Sequence, residues 1–79
     1  MSRLPVCSGP DAIRAFQKLG YEVDHQTGSH IILQTETPGH QRIPIPAHKS
    51  LRIGTLNAIL RIIANHKGVS RETILELVA

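Results

Sequence analysis

Apolar residues recur with helical spacing near both ends of this chain and with the alternation of strands in its middle. Ala12, Ile13, Phe16 and Leu19 share one helical face. Ser8 followed three residues later by Asp11 has the form of a capping box, and Pro10 suits a first turn. Gly20 stands where a helix C-terminus favours a left-handed residue, so a helix is predicted over residues 9–19. Tyr21 to His25 alternates with period two, which predicts a strand with Tyr21 and Val23 inward and His25 on the same parity, partly buried in a packing role, although its place across the turn from His30 leaves a supporting role open. Residues 26–29 read as a hairpin loop. A second strand is predicted over His30–Thr35, with Ile31 and Leu33 inward, and residues 36–40 read as a turn. Residues 41–46 predict a third strand with Ile43 and Ile45 inward. Pro44 and Pro46 cannot donate to a ladder, so that strand belongs at a sheet edge.

Leu56, Ile59, Leu60 and Ile63 mark a longer helix over residues 55–66, closed by Gly68. Ser70 caps a short third helix whose apolar contacts are Ile74, Leu75 and Val78. The order predicts an α+β fold, a two-layer sandwich with helices on one face of a three-stranded antiparallel sheet. The other face is left without a helix. By strand parity it carries Glu22, Asp24, His30, Ile32, Gln34 and Arg42.

With 79 residues there is room for a single domain, and residues 1–7, which show no periodicity, read as a loose leader. No apolar run exceeds three residues, which argues against a membrane-spanning helix or a signal-peptide core. The only cysteine, Cys7, cannot form an internal disulfide, which fits a reducing, cytoplasmic setting in a bacterium or archaeon; with no activating neighbour it reads as inert.

Charge changes the picture more by its distribution than by its total of +3. Residues 37–71 contain no acidic side chain but carry Arg42, Lys49, Arg52, Arg61, Lys67 and Arg71 with three histidines. A one-sided basic segment is the footprint of a phosphate-backbone binder. The only aromatic residues are Phe16 and Tyr21, too few for base stacking, so phosphate and sugar contacts should dominate.

Five histidines in so short a chain invite a proton-transfer reading. Metal-free RNA cleavage needs a base for the 2′-OH and an acid for the leaving 5′-oxygen. His30 fits best: it follows Gly28 and Ser29, whose backbone N–H groups can donate to a phosphate, and it points to the open face. A plain surface histidine is the simpler alternative. His48 and Lys49, in the loop before the second helix, suit a phosphate or partner contact, as does Arg52; His48 could equally be an ordinary loop histidine. His66 can complement a helix dipole. The histidine spacings match no compact zinc pattern, so no metal is expected, and no glycine-rich phosphate loop suggests a cofactor.

The runs Leu19-Gly20-Tyr21, Gly28-Ser29-His30, Pro46-Ala47-His48 and Gly54-Thr55-Leu56 with Ile59-Leu60, in this order, resemble the HicA (YcfA-like) toxin family over about residues 9–77. The resemblance implies a double-stranded-RNA-binding-domain-like α-β-β-β-α fold, here with a short extra C-terminal helix. It implies an mRNA interferase that cleaves RNA independently of the ribosome and is neutralised by a HicB antitoxin. The family's catalytic histidine, in its Gly-Ser-His motif, corresponds to His30; its Pro-x-His corresponds to Pro46 and His48, with an auxiliary role for His48. Arg42, Lys49 and Arg52, with Lys18, would hold the RNA backbone. Two other classes fit the same residues: a non-catalytic RNA-binding module, which would not need His30, and a protein-interaction adaptor binding through Ile32 and the strand edges.

Overall fold

A computed structural model describes residues 8–78; the leader expected over residues 1–7, with Cys7, lies outside the described residues. The element order is α1 (Gly9–Gln17), β1 (Glu22–Thr27), β2 (His30–Thr35), β3 (Gln41–Pro46), α2 (Ile53–Lys67) and α3 (Arg71–Val78). The strands form one antiparallel sheet in the order β1-β2-β3, so the proline-bearing β3 is an edge, as Pro44 and Pro46 require.

Helix α1 starts as the sequence predicts. The Ser8 hydroxyl accepts the Asp11 N–H at 3.1 Å, and the Asp11 carboxylate accepts the Ser8 N–H at 3.3 Å. That backbone hydrogen bond, with the Ser8 hydroxyl and Arg14 beside it, holds the Asp11 carboxyl below its ordinary value. The helix ends two residues earlier than expected. The N–H groups of Lys18, Leu19 and Gly20 reach carbonyls three residues back, tightening the last turn, and Gly20 at φ +97° swings the chain into the sheet.

Strand β1 departs most from expectation. Val23 stands opposite Leu33, but His25 stands opposite Ile32 and not Ile31, so Asp24 is the extra residue of a β-bulge. A bulge reverses parity, and His25 therefore joins the open face instead of packing inward. Val23 keeps the inward parity but is 48% exposed, because β1 is an edge that the helical layer does not reach over. The hairpin loop is also shorter than expected. Thr27 pairs with His30, which leaves Gly28 and Ser29 as a two-residue turn with positive φ only at Gly28, the II′ pattern.

Helix α2 begins two residues before the predicted start and closes at Gly68, whose φ of +68° gives the left-handed cap. At its C-terminal end, His66 Nε2 donates to the Gly39 carbonyl at 2.8 Å, so this histidine fastens the β2–β3 turn as well as ending a helix. In α3, the Ser70 hydroxyl accepts the Thr73 N–H at 3.1 Å, and Arg71 binds the side-chain carbonyl of Asn57 on α2. Ile74 is fully buried where α3 packs on α1 and α2, which makes the third helix part of the core layer.

The core lies between sheet and helices. Phe16, Tyr21, Leu33, Ile45, Leu56, Leu60, Ile63 and Ile74 are its largest fully buried side chains. Leu51, in the loop before α2, is buried too, although no periodicity singles it out. None of the helices among the described residues is long and apolar enough to cross a membrane.

Candidate active site

His30 opens β2 immediately after the Gly28-Ser29 turn, and its side chain stands on the exposed sheet face. Its partner across the sheet is Pro46, the last residue of β3. The Ala47 N–H donates to the Ser29 carbonyl at 2.7 Å, carrying the pairing one step past the strand. The loop with His48, Lys49 and Arg52 therefore leaves the sheet directly beside the Gly28-Ser29 turn.

Helix α1 pins this loop from below. The Gly9 N–H donates to the His48 carbonyl at 2.9 Å, and Gly9 lies so close to β3 that a Cβ would sit 2.1 Å from the Pro46 carbonyl oxygen. Only glycine permits that approach. Lys18 is at the other end of α1, away from the hairpin.

Two shallow depressions meet at His30. One, of about 490 Å³, lies on the open sheet face and is lined by His25, Thr27, His30, Ile32, Arg42 and Pro44. The other, of about 430 Å³, lies between the β3 edge and α2, where His30 and Pro46 face Gly54, Thr55 and Ile62. Ile53 and Ile62 leave apolar surface exposed along that side. His48, Lys49 and Arg52 are exposed but line neither depression. Of the residues expected to act together, the fold thus gathers His30 and Arg42 in one depression. Gly28 and Ser29 form the turn between Thr27 and His30, and the loop with His48, Lys49 and Arg52 leaves the sheet beside that turn.

The charge on the open face is more balanced than the sequence suggests. Asp24 accepts a hydrogen bond from Nδ1 of His25 at 2.6 Å and stands 3.5 Å from Nη2 of Arg42. The Asp24 carboxylate, which alone would repel a polyanion, is therefore engaged by two neighbours that carry protons or positive charge. Arg52 heads α2 without a side-chain cap, and no acidic residue occupies the helix's first turn, so the positive end of the helix dipole adds to the basic loop. Among the described residues, no group of three or more His, Cys, Asp or Glu side chains comes together as a metal site.

His25 is the residue that sequence reasoning misplaced. Val23 is the only apolar side chain within β1, so one residue carried the parity, and nothing in the local sequence announces the bulge that reverses it.

Comparison with curated proteins and with solved structures returns no match. A family model described as the HicA toxin of bacterial toxin–antitoxin systems matches residues 9–64, which takes in α1, the whole sheet, the Gly28-Ser29 turn, His30, the basic loop and most of α2. On that match, the chain belongs to the HicA toxin family.

Proposed function

We propose that this protein is the toxin of a bacterial toxin–antitoxin pair and acts in the cytoplasm as a metal-independent endoribonuclease on mRNA. His30 moves protons in the attack of a 2′-OH on the adjacent phosphorus, which leaves a cyclic phosphate. Arg42 faces the phosphate from the same depression. Lys49 and Arg52, with His48 in an auxiliary place, hold the RNA backbone along the loop, and the N–H groups of Gly28 and Ser29 donate to phosphate at the turn. Cations and backbone donors aimed at a phosphorane stabilise the charge that builds up there. One acid–base histidine contributes about 10²–10⁴-fold, so turnover is slow.

The observation that carries this reading is the position of His30. In a chain of the HicA family, the histidine of the Gly-Ser-His run is exposed at the junction of two depressions, with Arg42 in one of them. A HicB-like antitoxin silences the enzyme by covering the open sheet face around His30 and Ile32, where it also finds apolar surface to bury.

The test is RNA cleavage by purified protein in EDTA, wild type beside His30→Ala, both shown folded by circular dichroism. Cleavage by wild type alone is expected. Equal cleavage by both removes His30 from the chemistry, and binding without cleavage by either makes the protein an RNA-binding module.

A further inference from the structure

We propose that His25 is the second catalytic residue of the site, taking the 2′-OH proton while His30 gives a proton to the leaving 5′-oxygen. The assignment rests on the ribonuclease reading above and supplies the proton partner that His30 needs.

Transesterification moves two protons on opposite sides of one phosphorus, so two acid–base groups must flank it. The bulge at Asp24 provides the second. Without it, His25 would share the inward parity of Val23; with it, His25 stands opposite Ile32 on the open face. His30 lies two residues before Ile32 on the same strand, so His25 and His30 are diagonal neighbours across the β1–β2 pair. Such pairs have Cβ atoms about 7 Å apart. That spacing admits one phosphoryl group with a hydrogen bond of about 3 Å on either side. Both imidazoles line the same open depression, with Arg42 on its wall.

Asp24 decides which role His25 takes. A carboxylate only accepts hydrogen bonds, so the Nδ1 that lies 2.6 Å from Asp24 Oδ2 carries the proton. In the neutral ring Nε2 then keeps its lone pair and faces the substrate as a base. The charged and titratable groups around His25 are Asp24 on its own strand, His30 on β2 and Arg42 on β3. Arg42, 3.5 Å from the same Asp24 oxygen, helps to hold the carboxylate in place.

The 2′-OH gives its proton to His25 Nε2, and the 2′-oxygen forms a bond to phosphorus. The bond from phosphorus to the 5′-oxygen breaks, and that oxygen takes the proton from His30. The products are a 2′,3′-cyclic phosphate end and a free 5′-hydroxyl. Exchange with water returns both rings to their starting forms.

The experiment uses an RNA oligonucleotide cleaved by the wild type and the same oligonucleotide with sulfur replacing the bridging 5′-oxygen at the mapped site. A thiolate leaves without a proton, so the sulfur substrate needs a base but no acid. His25→Ala is expected to lose about 10²–10⁴-fold on both substrates, whereas His30→Ala loses as much on ordinary RNA and recovers on the sulfur RNA. Asp24→Asn is expected to lower kcat on both substrates with KM unchanged, the mark of a positioning residue. His25→Ala cleaving at the wild-type rate overturns the proposal, and so does recovery of His25→Ala on sulfur. Either result leaves the ribonuclease reading standing if His30→Ala is inactive on ordinary RNA. Full activity of His30→Ala overturns that reading instead. The side chain of His25 is exposed, so folding is not at stake in its removal.

Discussion

Lys67, at the C-terminal end of α2, donates to the buried hydroxyl of Thr35 at 2.9 Å. Its Nζ also binds the Thr37 carbonyl and lies 4.8 Å from the centre of the Tyr21 ring. Burial holds its amine below the ordinary range. Strand β2 runs from His30 to Thr35, so this clamp closes the sandwich at the end opposite the candidate site. One end of the strand is fastened to the helices, and the other, at His30, is open to solvent.

Lys67→Met keeps an unbranched side chain over the Tyr21 ring but removes the donor to Thr35. It is expected to destabilise the fold by about 1–2 kcal/mol. Thermal denaturation measures the loss, and RNA cleavage below the melting range should stay at the wild-type rate, because the clamp is remote from His30.

Gly9→Ala should act at the opposite end. The added methyl meets the Pro46 carbonyl oxygen at 2.1 Å, and both partners of that clash are backbone. A loss of about 1–3 kcal/mol is expected, typical of overpacking. The same change pushes α1 away from the loop whose His48 carbonyl it binds. Weaker RNA binding by the folded variant should therefore accompany the lower melting temperature.

Much of this architecture was legible in the chain. The capping box of Ser8 and Asp11, the edge position of β3 from its prolines and the Gly68 cap all follow from local chemistry that the fold respects. The helical face of Leu56, Ile59, Leu60 and Ile63 carries enough apolar residues to fix its own register. Strand β1 does not: Val23 is its only apolar side chain, so a bulge at Asp24 reverses parity at little cost in burial. The burial of Leu51 and the tie between His66 and Gly39 depend on contacts distant in sequence, which no periodicity reports. On the open face, the exposure of His30 was legible from strand parity. His25 was not, because its placement is a property of register and not of composition.

The cap of α1 has a pH signature. The Asp11 carboxyl is held below its ordinary value of 3.8, first by its backbone hydrogen bond with Ser8. Between its folded value and 3.8 the unfolded chain binds more protons, so stability rises with pH there. The contribution is fully present above pH 3.8 and is lost as pH falls through the folded value. Acid unfolding followed by circular dichroism should lose this component in Asp11→Asn, leaving a flatter acid limb.

Lys49 and Arg52 are expected to contact phosphate without reading sequence. In a His30→Ala background, which keeps RNA intact, Lys49→Ala and Arg52→Ala should each weaken binding of unrelated RNAs alike. Each should also reduce the slope of log K against log salt by about 0.7–0.9. Fluorescence anisotropy across a salt series measures both effects, and an unchanged slope would take that residue off the RNA backbone.

The chemistry of the ends that the protein leaves on RNA, read by mass spectrometry after cleavage in EDTA, tests proton transfer at His30 most directly. Proton transfer at His30 predicts a 2′,3′-cyclic phosphate on one fragment and a free 5′-hydroxyl on the other, with no cut where the scissile ribose lacks its 2′-OH. Fragments ending in 3′-hydroxyl and 5′-phosphate, or cleavage at the deoxy position, would contradict it, since both require water and not the 2′-oxygen as the nucleophile.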